Sequence, residues 1–179
     1  MRKRMIFKSI PIFLTLIACG SGMTGIESSE FQKIDPNFSG TFKNRSYKNI
    51  RPNNGGHDLK IIDLFGLKSK HADSINLSFT NDHSLVVKFN DSTGVRTEQF
   101  NGKFSRRGFY EIYLKKKNIE IPPLLPLLYC EYDTNRIRIS FTPDNDLLID
   151  NHVAFGGSIL VLGNGGSYNA LYYFERVKE

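Results

Sequence analysis

The fold is decided by residues 74–94, which read SINLSFTNDHSLVVKFNDSTG. Apolar side chains occupy every second position on both sides of a polar turn, first at Ile75 and Leu77 and then at Val87 and Phe89. Alternation with a period of two is typical of a β-strand that has one buried face and one wet face. Because a second turn signal, Asp-Ser-Thr-Gly, closes the stretch, it predicts an antiparallel hairpin that continues into a third strand.

The same pattern recurs on both sides of this hairpin and predicts an all-β domain. Turn residues separate short alternating runs from Phe38 to the C-terminus, whereas apolar residues at helical spacing occur only in residues 57–68. Asp58 is the candidate N-cap of that helix. We expect an antiparallel up-and-down β-barrel of about eight to ten short strands with residues 57–68 as one short plug helix. A sandwich of two sheets is the alternative.

Two kinds of segment interrupt the alternation. Two short segments are rich in glycine, namely Gly156-Gly157 and residues 163–166. Both are predicted to be turns or bulges between strands. Residues 122–128 read PPLLPLL, and they cannot form a central strand because proline has no N–H to donate. This stiff apolar crossing is either an exposed lid or partner contact at the barrel mouth, or a segment folded under the barrel.

The N-terminus carries a sorting signal that ends in Leu16-Ile17-Ala18-Cys19. A basic head precedes an apolar run over residues 10–18, which is shorter than the 20 or so residues that a spanning helix needs. The four closing residues resemble the lipobox of bacterial lipoprotein precursors, although an ordinary signal peptide with a chance cysteine is the alternative. The resemblance implies cleavage before Cys19, a diacylglyceryl group on its sulfur, and a further fatty acid such as palmitate on its amine.

This organisation divides the chain into three parts. Residues 1–18 are the expected signal peptide, residues 19–36 a flexible tether, and residues 37–179 the β domain. Since Gly20 is not an aspartate and no acidic cluster follows Cys19, the resemblance implies an outer-membrane protein that faces the periplasm. The expected partner at this end of the chain is the membrane itself, bound through the N-terminal lipid.

From Phe38 onward, the order of elements resembles the lipocalin-like (calycin) domain of small bacterial lipoproteins. In that family, a Gly-x-Trp on the first strand is covered by an arginine from the end of the barrel. Gly40, Phe42 and Arg176 stand at the matching positions here, with Phe42 in place of the tryptophan. The resemblance implies a barrel, and we expect the Phe42 ring to offer its face to the Arg176 guanidinium.

Composition excludes several classes of function. Removing residues 1–18 takes away four of the 24 Lys and Arg and no acidic residue, so the net charge falls from +6 to +2 and no nucleic-acid partner is indicated. The four histidines are scattered, and Cys130 is the one cysteine besides Cys19. We therefore expect no metal site, no cofactor and no enzymatic activity, with Cys130 as a small buried apolar residue.

Two binding functions remain. The first is a barrel that holds a small apolar or amphipathic ligand against Phe79, Phe89, Phe104 and Tyr110. The alternative is a protein-interaction module, such as an inhibitor or an envelope-assembly accessory, with a packed core and no cavity. The two functions differ in whether the barrel encloses a cavity, because an eight-stranded barrel is just wide enough to be filled by its own side chains.

Overall fold

The computed structural model describes residues 23, 25–27, 29–50, 59–69, 71–80, 82–121, 128–160 and 162–178. Within these ranges the chain forms ten strands, all paired antiparallel, and one short helix. The predicted all-β, antiparallel class is therefore confirmed. In chain order the elements are β1 (Ser39–Lys43), β2 (Lys48–Ile50), α1 (Ile61–Leu64), β3 (Ser74–Phe79), β4 (Leu85–Asp91), β5 (Gly94–Phe100), β6 (Gly102–Phe104), β7 (Tyr110–Ile121), β8 (Tyr129–Phe141), β9 (Leu147–Ile159) and β10 (Leu162–Phe174).

The strands are hydrogen-bonded as two sheets, and the described residues do not close into one barrel. A four-stranded sheet has the order β1-β3-β4-β5, and a six-stranded sheet has the order β2-β10-β9-β8-β7-β6. The hairpin predicted from residues 74–94 is β3-β4, with Leu77 opposite Val87. Strands β7 to β10 are 12 or 13 residues long, so they exceed the short strands expected from the sequence.

Both sheets contribute to one apolar core. Leu77 and Val87 come from the four-stranded sheet and Ile137 and Ile149 from the six-stranded sheet, and all four are fully buried. Burial of one such side chain is favourable by about 1.5–3 kcal/mol. In β3 and β4 the inward positions are those that the alternation predicted, so the same pattern specifies both the strands and the core there.

The helix is much shorter than predicted. It spans Ile61–Leu64, while the predicted N-cap Asp58 lies outside the described residues. The backbone carbonyl of Asn44 accepts from the N–H of Ile61 at 2.8 Å, so a residue distant in sequence satisfies the helix start. Gly66 then takes a φ of +68°, a left-handed conformation that ends helices. Among the described residues, no helix combines the length and apolarity needed to cross a membrane.

Part of the segment predicted to be a flexible tether packs against the outer face of the six-stranded sheet. Met23 is 5% exposed and lies in a second apolar cluster with Leu148 and Leu171. The N–H of Gln32 donates to the carbonyl of Phe141 at 2.7 Å. This part of the sheet is therefore covered on both faces, which differs from the wet outer face that the alternation predicted.

Candidate binding surface

The aromatic residues predicted to line a ligand cavity pack against one another. The ring centroids of Phe79, Phe104 and Tyr110 lie 4.8–5.0 Å apart, and the Tyr110 hydroxyl donates to the His83 carbonyl at 2.7 Å. Burial raises the pKa of Tyr110. Phe89 is buried on β4 opposite Ile75, away from this aromatic group. Phe89 and Tyr110 are therefore buried in the core, and Phe79 and Phe104 are partly buried against it.

The residues of the lipocalin-like motif meet, but in a different pairing from the one expected. Phe42 forms a backbone bridge with Arg176, yet the Arg176 guanidinium lies over the Phe38 ring, 5.4 Å from its centroid. Phe42 is fully buried and stacks against Phe141, so its faces are occupied by other rings. Gly40 is required locally, because a Cβ there would stand 2.6 Å from the Phe38 ring.

Within the described ranges, the cysteine and histidine residues considered in the sequence do not come together as a metal site. Cys19 and the lipobox lie outside the described residues, as do His57 and residues 122–127. No three His, Cys, Asp or Glu side chains in the described part of the chain are grouped to hold a metal ion. Cys130 is half-buried rather than buried, and its sulfur lies 3.1 Å from the Ser158 hydroxyl.

Beyond the core, β7 to β10 continue as a four-stranded extension that we call the distal sheet. It consists of residues 115–121, 129–135, 153–159 and 162–168, paired in continuous register. A bulge between Tyr113 and Lys115 marks where β7 enters it. The glycine-rich segments predicted to be turns are strand residues here, with Gly156 directly opposite Gly165.

One face of the distal sheet continues the core face but has no described element over it. The exposed side chains on this face include Phe155 at 52% and Leu162 at 80%. The register ends in a row that contains four apolar or aromatic residues, namely Ile121, Tyr129, Ile159 and Leu162. Contiguous exposed apolar side chains of this kind mark interaction sites more often than isolated ones do.

On the opposite face of the distal sheet, the residues of β9 and β10 have small side chains, namely Ala154, Gly156, Ser158, Gly163, Gly165 and Ser167. The Tyr132 hydroxyl lies over the backbone of Gly156 and Gly165, where an added Cβ would approach it to 2.7 and 2.9 Å. At the end of the sheet, a groove of about 710 Å³ is lined by residues that include Tyr129, Cys130, Gly156, Gly157, Ser158 and Ile159. Because glycine has no side chain, the Tyr132 side chain and the groove both lie close to the backbone here.

Ion pairs cross the distal sheet between β7 and β8. Lys115 pairs with Asp133, and the Lys117 Nζ lies 2.5 Å from Glu131 Oε1. Hydrogen bonds from Lys117 and from the Tyr129 hydroxyl hold the pKa of Glu131 below its usual value. These acidic side chains lie on the apolar face of the distal sheet and are matched by lysines, so the apolar residues dominate the chemistry of that face.

A second polar group lies on the outer face nearer the core and is structural. Arg138 Nε lies 3.0 Å from Glu111 Oε2, and its guanidinium stacks 4.8 Å over the Phe109 ring. Burial acts to raise the pKa of Glu111, but the hydrogen bond and charge of Arg138, with Arg136 and Lys103, lower it overall. These charges compensate one another inside the fold and face no described cleft.

Sequence reasoning missed the distal sheet. The glycines at 156–157 and 163–166 were predicted to be turns or bulges, whereas they lie within β9 and β10. The available signal was the alternation of Ile119 and Ile121 beyond the lysines, together with the absence of proline and charge from residues 154–170. No family model, no curated protein and no solved structure matches this chain.

Proposed function

We propose that this chain is a lipid-anchored protein of the bacterial cell envelope that binds a protein partner through the apolar face of its distal sheet. The proposal includes acylation of Cys19, an outer-membrane location, a periplasm-facing domain and no catalytic role. Two or three acyl chains are needed for persistent attachment, since one chain alone binds only marginally. The lipobox resemblance in the sequence supports the anchor.

One observation carries the choice of a protein partner over a small ligand. The side chains expected to line a cavity are packed in the core, whereas the exposed apolar residues lie together on a projecting sheet. An exposed apolar face of this kind suits another protein surface, because interface cores are apolar and rich in aromatic residues. The partner that fits is an envelope protein with an exposed apolar patch.

We also propose that the two sheets are the halves of a lipocalin-like barrel. Only Asn101 separates β5 from β6, so one run of chain passes from the four-stranded to the six-stranded sheet. On the other side, the chain after β10 reaches β1, where the N–H of Val177 donates to the Thr41 carbonyl at 2.8 Å. These two links support the barrel order that the sequence suggested.

The anchor is tested by replacing Cys19. Cys19→Ser is expected to abolish incorporation of labelled palmitate and to leave an unprocessed or soluble chain, whereas the matched Cys130→Ser variant keeps both the label and the membrane fraction. Equal labelling of the two variants, or normal membrane fractionation of Cys19→Ser, refutes the lipid anchor.

The binding surface is tested by charge insertion on exposed side chains. Leu162→Asp on the distal sheet is compared with Val95→Asp on β5, which is 75% exposed and lies in the other sheet. Covalent cross-linking in intact cells, followed by mass spectrometry, is expected to give a partner with wild type and Val95→Asp. Leu162→Asp is expected to lower the cross-linking yield about tenfold. Equal yields from both variants argue against this surface.

A small amphipathic ligand is the second candidate, and the groove at the end of the distal sheet favours it. Its volume of about 710 Å³ lies within the range of about 300–1,000 Å³ that is usual for ligand sites. Native mass spectrometry of the protein released from membranes distinguishes the two functions. A retained mass that disappears in Leu162→Asp would indicate the ligand.

A further inference from the structure

The strand β5, at the edge of the four-stranded sheet, is the feature that the proposed function leaves unused. It pairs with β4 on one side, and no strand in the described part of the chain pairs with its other side. Strand β7 pairs with β6 over residues 110–112 and does not continue alongside β5. Residues 94–99 are all exposed, and every residue from 82 to 121 is described, so both connections of β5 are known. Exposed edges of this kind are templates for pairing with another strand.

The opposite edge of the same sheet is closed, which makes the contrast informative. The outer side of β1 bonds to the chain that follows β10. The N–H of Val177 donates to the carbonyl of Thr41 at 2.8 Å, and the N–H of Lys43 donates to the carbonyl of Glu175 at 2.9 Å. Among the described residues, this sheet is therefore open at β5 and protected at β1.

The sequence of β5 is complementary to itself when the strand is turned end for end. It reads GVRTEQF, with Arg96 and Glu98 on either side of Thr97. Both charged residues lie opposite buried residues of β4, so they share the inner face of the sheet, whereas Thr97 lies on the outer face. Arg96 contacts Asp91 at 2.6 Å, but no ion pair of Glu98 occurs in the described structure. A positive and a negative side chain thus stand at equal distances from Thr97 along an exposed edge.

We propose that β5 pairs antiparallel with β5 of a second copy of the chain, with Thr97 at the two-fold axis. In this register Arg96 lies directly opposite Glu98 of the second copy, and the same contact repeats on the other side of the axis. Opposite charges and threonine pairs are both favourable directly across a strand pair. Val95 lies opposite Gln99, so no like charges face each other. An axis at Arg96 or at Glu98 would place like charges together, and the charge pattern therefore selects this register.

The next charged residue outside β5 does not oppose the pairing. Lys88 on β4 lies opposite Thr97. In the dimer, two Lys88 side chains are therefore separated by three strand spacings, which is about 14 Å. The Debye length at physiological ionic strength is about 8 Å. Repulsion between these exposed lysines is consequently screened.

The size of the contact indicates where the dimer forms. The seven residues of β5 span about 23 Å and a sheet is about 10 Å thick, so each copy buries about 230 Å². The total of about 460 Å² is below the roughly 1,000 Å² expected for a stable complex. Pairing is therefore weak in dilute solution. Confinement of both copies to one membrane raises their effective concentration, and this step rests on the proposed lipid anchor.

Disulfide cross-linking of the full-length chain tests the register directly. In a Cys130→Ser background, Thr97→Cys places two thiols directly opposite each other at the two-fold axis. Directly opposite residues have Cα atoms about 4.5–5.5 Å apart, within the range for a disulfide. Val95→Cys is the matched control, because residue 95 lies on the same strand and is 75% exposed. In the proposed register its two thiols are displaced by about 13 Å along the strands.

Membranes and concentrated purified protein are both treated with a mild oxidant. We expect at least about tenfold more covalent dimer from Thr97→Cys than from Val95→Cys, because the proposed register brings one pair of thiols within bonding distance and not the other. Equal dimer from the two variants, or none from Thr97→Cys in either preparation, overturns the proposal.

Charge reversal with rescue tests the role of the two ionic contacts. In the Thr97→Cys chain, Glu98→Arg places arginine opposite arginine on both sides of the axis, and Arg96→Glu places glutamate opposite glutamate. Each change is expected to lower the homodimer yield about tenfold. When the two variants are mixed, one of them carrying a mass tag, opposite charges meet again at both positions. We expect the heterodimer to form at about the yield of the unreversed chain.

The mixture also provides its own control for folding. Arg96→Glu loses the contact with Asp91, so the circular dichroism spectrum and melting temperature of both variants are recorded. Recovery of the heterodimer shows that both variants are folded and that the charges set the register. Absence of the heterodimer from folded variants, or an unchanged homodimer yield with Glu98→Arg, contradicts the proposed pairing.

The background variant separates this result from a failure of the anchor. Cys130→Ser alone keeps Cys19, which cannot form a disulfide when its sulfur is acylated. Dimer from that background would show an unmodified Cys19 and would refute the lipid anchor. The Thr97→Cys comparison is then read with Cys19→Ser added, in concentrated solution, so that edge pairing is judged on its own.

Discussion

The buried ion pair on the outer face gives a quantitative test of the packing. Arg138 lies 3.0 Å from Glu111 and 3.9 Å from Asp150, and all three side chains are less than 10% exposed. Arg138→Met keeps the apolar stem but removes the charge that compensates two buried carboxylates. Removal of one member of a buried pair costs about 3–5 kcal/mol. We therefore expect the free energy of unfolding to fall by about that amount.

The assay is urea unfolding followed by circular dichroism, with the surface pair as control. Lys43 contacts Glu175 at 2.5 Å, but both side chains are more than half exposed. Lys43→Met should therefore cost less than about 1 kcal/mol. A loss of less than about 1 kcal/mol for Arg138→Met, or equal losses for the two variants, would refute the reasoning, because a solvated pair and a buried pair would then be energetically alike.

Three further predictions use the same unfolding assay. Burial tends to raise the pKa of Glu111, but its bond to Arg138 lowers the pKa in the folded state below the usual 4.5. The ionised Glu111 therefore contributes its full stabilisation above that pH, and the contribution is lost as the pH falls further. Glu111→Gln should make the stability of the protein less dependent on pH in this acidic range. Gly40→Ala forces a Cβ to within 2.6 Å of the Phe38 ring, and we expect a loss of about 1–3 kcal/mol. Met23→Asp should release the N-terminal segment from the sheet, seen as faster proteolysis of residues 25–36, and an unchanged cleavage rate would count against the packing.

The sequence predicted the core well because core side chains carry the pattern. Ile75, Leu77, Val87 and Phe89 alternate, and each is buried in the hairpin that the alternation predicted. The helix was placed in the right region, but its length was wrong. Its start is satisfied by Asn44, which lies far from it in sequence and follows no local capping rule.

The distal sheet escaped prediction because glycine carries no side-chain periodicity. Gly156 and Gly165 give the same local signal in a turn and in a flat strand, and what distinguishes the two is pairing with β8, where Tyr132 lies over both glycines. That contact joins residues more than twenty positions apart. A strand built on backbone pairing rather than on side-chain burial is therefore recognised only from its neighbours.

The N-terminal segment links the buried charges to the proposed anchor. Arg138 and Asp150 are buried because the outer face near the core is covered, and Met23 packs on Leu148 of that same face. Met23 lies four positions after Cys19, and four residues span at most about 14 Å when fully extended. If Cys19 is acylated as proposed, the domain is held near the bilayer by its own packing.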